Sequence, residues 1–146
     1  MIKITYPDIK PAIKRIEDTD KVFCLIRRKW FVLTPEEWVR QNFLLYLTEV
    51  LKYPRELISV EKEIKLSELK KRFDIVVYDQ NAQPEIIIEC KEMNEKLTDE
   101  VLNQVLRYNI KIRAWRVVIT NGSNTIAFEN IDGRIVELNN LERKTP

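Results

Sequence analysis

The sequence contains no histidine, two cysteines and two glycines among 146 residues, and each shortage closes off a class of chemistry. Without histidine there is no Ser-His or Cys-His nucleophile pair. A bound metal would have to be held by oxygen, which favours hard cations such as Mg²⁺, Mn²⁺ or Ca²⁺. Cys24 and Cys90 are too few for a disulfide framework or a zinc ribbon. Gly122 and Gly133 leave no G-x-x-x-x-G-K-[ST] or G-x-G-x-x-G, which excludes a nucleotide-phosphate cradle and an ATP-driven motor. No apolar run approaches the roughly 18–20 residues of a membrane helix. The opening MIKITYPDIKPAIKRIED lacks a signal-peptide core. A reduced, cytoplasmic protein with no membrane partner is expected.

What is present suits one domain with a hydrophobic core. Apolar residues make up 45% and charged residues 33% of the chain, a globular balance. A net charge of +2 does not mark a nucleic-acid binder, although a near-neutral total can contain a basic face. Residues 1–20 read as an irregular charged lead-in, and 21–140 as a single domain. KVFCLIRRKWFVL (21–33) is strand-like, with Arg27-Arg28-Lys29 as a basic interruption. Thr34-Pro35-Glu36-Glu37 starts a helix, with Thr34 as N-cap and Glu37 closing a capping box. Its stripe of Val39, Phe43, Tyr46, Leu47 and Val50 runs to about Lys52. A strand follows at 57–66, two more in the hairpin 72–92, a second helix at 98–112, and then WRVVITNG and a hairpin turning at Asp132-Gly133. The order α-β-β-β-α-β-β predicts an α/β (α+β) mixed sheet flanked by helices.

The stretch RFDIVVYDQNAQPEIIIECKE (72–92) carries the chemistry. With Asp79 and Pro84 as strand ends, antiparallel pairing sets Val76 opposite Ile87, Asp74 opposite Glu89 and Arg72 opposite Lys91. Alternation then puts Phe73, Ile75, Val77, Ile86, Ile88 and Cys90 on a core face. Asp74, Glu89 and Lys91 gather at one end of the other face. A slip of one residue would separate the two acids. Facing carboxylates repel unless a cation lies between them, and Mg²⁺ takes one or two carboxylates plus water and phosphate oxygens. A lysine about 7 Å further along the strand could orient the attacking water or offset charge on phosphorus. The pattern acid-x-Lys also occurs at Asp8, Glu63, Glu68 and Glu142. Only Glu89-x-Lys91 ends a buried-type strand with an acid across a hairpin. The competing reading is a charged strand end solvated at a sheet edge.

Asp74 opening one strand and Glu89-x-Lys91 ending the next resembles the PD-(D/E)XK nuclease superfamily. LTPEEWVRQNFLLYL, KRFDIVVYD, IIIECKE, QVLRY and VVITNG are together similar to the N-terminal nuclease domain of type I restriction enzyme R subunits, in stand-alone form. The resemblance implies that Asp74 and Glu89 bind Mg²⁺ or Mn²⁺ and that Lys91 is the catalytic lysine. It also implies an acid on the first helix, Glu36 or Glu37. The look of the motif favours Glu37, and the helical phase favours Glu36. Gln104-x-x-x-Tyr108 resembles an element that helps hold the site or the DNA. Phe73 stands where the family pattern has proline, and the helicase motor of R subunits is missing, so restriction by this chain alone is not implied.

Phosphate contacts are expected from Lys70, Lys71 and Arg72, and from Arg107 beside Tyr108. Arg27, Arg28 and Lys29 with Trp30 are further candidates, as are Lys111 and Arg113. The leading expectation is a divalent-metal-dependent nuclease acting on DNA, as a homodimer or with restriction-system subunits. The alternatives are a non-catalytic DNA- or partner-binding module and a structural domain whose acids and lysine form an ion-pair network.

Overall fold

A computed structural model describes residues 1–66 and 68–143 of the chain. Lys144, which completes one acid-x-Lys pattern, lies outside the described residues. Three strands, β1 (Ile13–Ile16), β2 (Thr19–Cys24) and β3 (Lys29–Val32), form an antiparallel meander. They are followed by α1 (Pro35–Leu45), a π-type turn at Tyr46–Val50 and a 3₁₀ turn at Arg55–Leu57. A second sheet is built from β4 (Ile58–Leu66), β5 (Leu69–Tyr78), β6 (Pro84–Cys90), β7 (Arg116–Thr120), β8 (Thr125–Ile131) and β9 (Arg134–Glu137). Its strands lie in sequence order, and α2 (Asp99–Ile112) links β6 to β7. That pair is parallel and the others are antiparallel, because a parallel pair needs a crossover. No helix among the described residues is long and apolar enough to cross a membrane.

Both helices start where cap chemistry places them. Thr34 Oγ1 accepts from the Glu37 N–H at 3.0 Å, and Thr98 Oγ1 from the Val101 N–H at 3.3 Å. Only half of the expected capping box forms at α1, because the Glu37 carboxylate turns away to Arg27, Arg40 and Gln41.

The large sheet is covered on both faces. Ile75, Val77, Ile86, Ile88 and Cys90 pack with Val39, Phe43 and Leu44 of α1 and with Leu47 of the turn that follows it. Val76, Ile87, Val117 and Ile119 pack with Val105 of α2 and with Ala114. This is why β6 and β7 read as continuous apolar runs rather than alternating ones. It corrects the expectation of one core face.

The hairpin expected to turn at Asp132-Gly133 is β8–β9, and the element order is richer than expected by β1 and by the division of 21–33 into two strands. Residues 1–20 are not wholly irregular: Ile13–Ile16 forms β1, and the buried Ile2 donates its N–H to Thr125 O at 2.7 Å. The stretch 21–33 is two strands, and its basic interruption is their turn, with Arg28 at φ +58°.

The β5–β6 register pairs Val76 with Ile87, as expected. At the loop end Tyr78, not Asp79, pairs with Pro84, and a register shift absorbs the difference. Asp79 Oδ1 instead accepts the Asn81 and Gln83 N–H groups at 2.8 and 3.0 Å, which closes the loop. At the other end the ladder stops at Ile75 and Ile88. Arg72 pairs with Glu63 of β4 rather than with Lys91, whose N–H bonds Thr120 O at 2.8 Å. Phe73 lies on the α2 side, its ring 6.4 Å from that of Tyr108, and not beside Ile75. The cause is local: Glu61 has φ +54°, and the Glu61–Asp74 step is missing from the β4–β5 ladder.

Two buried faces predict that Ile87→Ala and Ile88→Ala each lower stability by about 2–5 kcal/mol in urea unfolding. A near-neutral Ile87→Ala would contradict a covered α2 face.

Candidate active site

Asp74 sits where the ladders of β5 loosen on both sides, and its side chain takes over as an acceptor. Oδ2 receives the Cys90 N–H at 2.7 Å and Oδ1 receives Arg40 Nη2 at 3.1 Å. Glu89, adjacent to Cys90 on β6, is buried, and its Oε1 has no hydrogen-bond partner among the described residues. Burial first, and then the Asp74 charge, pushes the Glu89 carboxyl from an ordinary 4.5 up to about 7, against the pull of Lys71 and Lys91. Asp74 is raised as well, because burial outweighs the Cys90 N–H, Arg40, Lys91 and Lys71. Two carboxylates therefore share a poorly hydrated place with too little positive charge.

The two acids of α1 part ways. Glu37 is enclosed: Arg27 Nη2 bonds both of its oxygens at 2.9 and 3.0 Å, Gln41 Nε2 bonds at 3.0 Å, and Arg40 approaches at 3.4 Å. Glu36 is half exposed, with its carboxyl raised by burial and by Asp74 while Arg40 and Lys91 oppose the rise. Glu36 thus feels the charges of Asp74 and Lys91 from an exposed position, while Glu37 lies on the buried face of the helix.

Arg40 was not singled out from the sequence, yet it joins three elements. Buried on α1, it contacts Glu37 on its own helix, Asp74 on β5 and Glu61 on β4, the last at 3.2 Å. The signal was there. Arg40 falls on the sheet-facing stripe with Val39 and Phe43, three and four residues after the two acids.

Lys91 is half-buried, and its charge acts on Asp74, Glu89 and Glu36. Lys71 also belongs here: its Nζ lies 5.7 Å from the Phe73 ring centroid and 5.3 Å from that of Tyr108, and it acts on both acids. Lys70 and Arg72, its neighbours on β5, are exposed. Gln104 and Arg107 are exposed on α2, where they line a cavity of about 390 Å³ with Glu100, Tyr108 and Lys111. A larger groove of about 670 Å³, between α2 and the β8–β9 hairpin, contains none of the site acids.

No group of three or more His, Cys, Asp or Glu side chains among the described residues is gathered to cage a metal. The donor set still fits one type of ion. Two adjacent carboxylates with an unpartnered oxygen suit a hard divalent cation that keeps most of its water.

The raised Glu89 pKa sets a pH dependence. Between about 4.5 and about 7 the folded protein holds a proton that the unfolded chain has lost. Metal-free stability therefore falls as pH rises through that window and is flat above it, a loss on the order of 3 kcal/mol. Glu89→Gln is expected to flatten this slope and to raise the melting temperature at pH 8, measured calorimetrically. Arg40→Ala, which leaves Asp74 and Glu37 without their shared cation, is expected to cost about 3–5 kcal/mol in urea unfolding.

Comparison with known proteins bears on the fold and the family. A solved structure of a candidate nuclease of DUF820 from Anabaena variabilis ATCC 29413 superposes with a TM-score of 0.51. That match covers 96% of this chain and 83% of the other at 12% identity, a likeness of fold alone. Comparison with curated proteins finds no match. The family model for the type I restriction enzyme R protein N terminus matches residues 35–141, from the first residue of α1 to just past β9. The chain belongs to that family, and its mixed sheet with flanking helices is a restriction-nuclease-like fold.

Proposed function

We propose that the domain is a divalent-cation-dependent nuclease that hydrolyses phosphodiester bonds in DNA. The observation that carries this reading is the carboxylate pair of half-buried Asp74 and buried Glu89, with Glu89 raised to about 7 and one of its oxygens unpartnered. Such a pair destabilises the fold unless a cation neutralises it. Asp74 and Glu89 would hold Mg²⁺ or Mn²⁺, which polarises a phosphoryl oxygen and lowers the pKa of a bound water.

The chain's own groups supply the rest. Arg40 and the Cys90 N–H fix the Asp74 carboxylate from both sides. Lys91 donates to the attacking water or to a non-bridging oxygen and offsets charge building on phosphorus. Glu36, exposed enough to meet water and with its pKa raised, accepts a proton at the mouth of the site. Glu37 holds Arg27 and Arg40 in place. Lys71 on the Tyr108 face, with Lys70, Arg72 and Arg107, contacts the sugar-phosphate backbone, and the Gln104 amide faces the same approach.

One observation favours a second reading. Arg40 already places a cation on Asp74, as a non-catalytic module that only docks DNA or restriction-system subunits would tolerate. The experiment incubates the purified protein and Mn²⁺ or Mg²⁺ with single-stranded, double-stranded and branched DNA. Cleavage of at least one substrate is expected, and Lys91→Ala and Asp74→Ala should each reduce it at least about 100-fold. Intact DNA in all three cases, with DNA retention surviving in Lys91→Ala, would select the binding module. Analytical ultracentrifugation with and without DNA then tests for a second copy, which two-strand cleavage calls for.

A further inference from the structure

The meander β1–β3 precedes the residues 35–141 that the family model matches, and its two faces differ sharply. One face is core: Val22 and Cys24 are fully buried, and Phe31 packs against the α1-side cluster. The opposite face carries Lys14, Lys21, Phe23, Trp30 and Val32, with Trp30 36% and Val32 50% exposed.

Two features of that outer face point to a ligand. Lys14 and Lys21 are direct cross-strand partners, and like charges in that position repel unless an anion lies between them. The one acid within these strands, Asp20, is turned to the other face and paired with Arg15 at 3.2 Å. Beside the lysines, Phe23 and Trp30 are also register partners, with ring centroids 5.3 Å apart, and Lys14 Nζ lies 5.3 Å from the Trp30 ring. Charge follows the same division. Residues 12–33 hold six basic and three acidic side chains, net +3, against +2 for the whole chain, so the remainder is net negative.

We infer that this outer face is a binding platform for single-stranded nucleic acid, with a phosphate between Lys14 and Lys21 and a base stacked on the exposed Trp30. Stacking platforms flanked by basic groups take single strands because every base offers a π-face, whereas a duplex hides its bases. The next turn of the same β2–β3 hairpin delivers Arg27 to Glu37, so a strand held here is tied to the element that borders the acids. This inference rests on the nucleic-acid substrate proposed above, and it concerns binding rather than cleavage.

The test measures anisotropy of a labelled oligothymidylate of about 15 nucleotides, without divalent ions, using the full chain carrying Lys91→Ala. Adding Lys14→Glu with Lys21→Glu should weaken binding at least tenfold and make the salt dependence shallower by roughly one unit of log-log slope. Trp30→Leu should weaken binding roughly tenfold and abolish quenching of tryptophan fluorescence by the oligonucleotide. Affinity and slope within twofold of the parent in the double-glutamate variant, with an unchanged circular dichroism spectrum, would overturn the platform. So would equal affinity for a duplex of the same length with no quenching. The two proposals fail separately. A false platform leaves cleavage by the Lys14→Glu/Lys21→Glu protein with Lys91 intact at the parent rate, whereas a false nuclease leaves this metal-free binding untouched.

Discussion

Burying Asp74 beside Glu89 is unfavourable by itself, and much of the surrounding structure compensates for it. Arg40 approaches Asp74 from α1, but a buried guanidinium needs partners of its own, and it finds them in Glu37 and Glu61. Glu37 in turn draws in Arg27 from the β2–β3 turn, and Arg27 lies 3.4 Å from the Phe31 ring centroid. Alternating charges thus run from β5 through β4 and α1 to the meander. Isolated exposed pairs would contribute little, but these share partners and are largely buried, so removing one strands the next. The left-handed backbone at Glu61 belongs to the same account, since the interrupted ladder there lets Asp74 point to Arg40 while Phe73 points to α2.

The network stops short of neutralising the site. Arg40 and the Cys90 N–H serve Asp74, while Glu89 has the Asp74 backbone N–H and the longer-range charges of Lys71 and Lys91, and keeps one unpartnered oxygen. A fold selected for stability alone would gain from a neutral residue at Glu89. Retaining the acid makes physical sense if a cation arrives later, and the lysines on either side then face the phosphate that such a cation would polarise.

Legibility in the sequence followed the range of the interaction. The Val76–Ile87 pairing could be reached because alternation and a short loop leave few registers, and the Thr34 and Thr98 caps because their chemistry is local. Two-faced burial of the sheet was visible in IIIEC and RVVIT yet was read as one face, since an apolar run does not say what covers each side. Phe73 was misplaced because its direction depends on the backbone of Glu61 on another strand. The role of Arg40 depends on three acids from three elements, a convergence that no single stretch contains. Most of β2 and all of β3 were legible as the strand-like stretch 21–33, whereas β1 was hidden because a strand of four exposed or half-exposed residues looks like loop.

The chain belongs to the family of the R protein N terminus, and the central physical claim proposed for it is that Asp74 and Glu89 take a divalent cation. Calorimetric titration of Mn²⁺ into the protein at pH 7, repeated in buffers of different ionisation enthalpy, tests it directly. With Glu89 near 7, the account predicts one ion bound, release of about half a proton per ion, and loss of both signals in Glu89→Gln. Absence of binding, or binding without proton release that persists in Glu89→Gln, would contradict it.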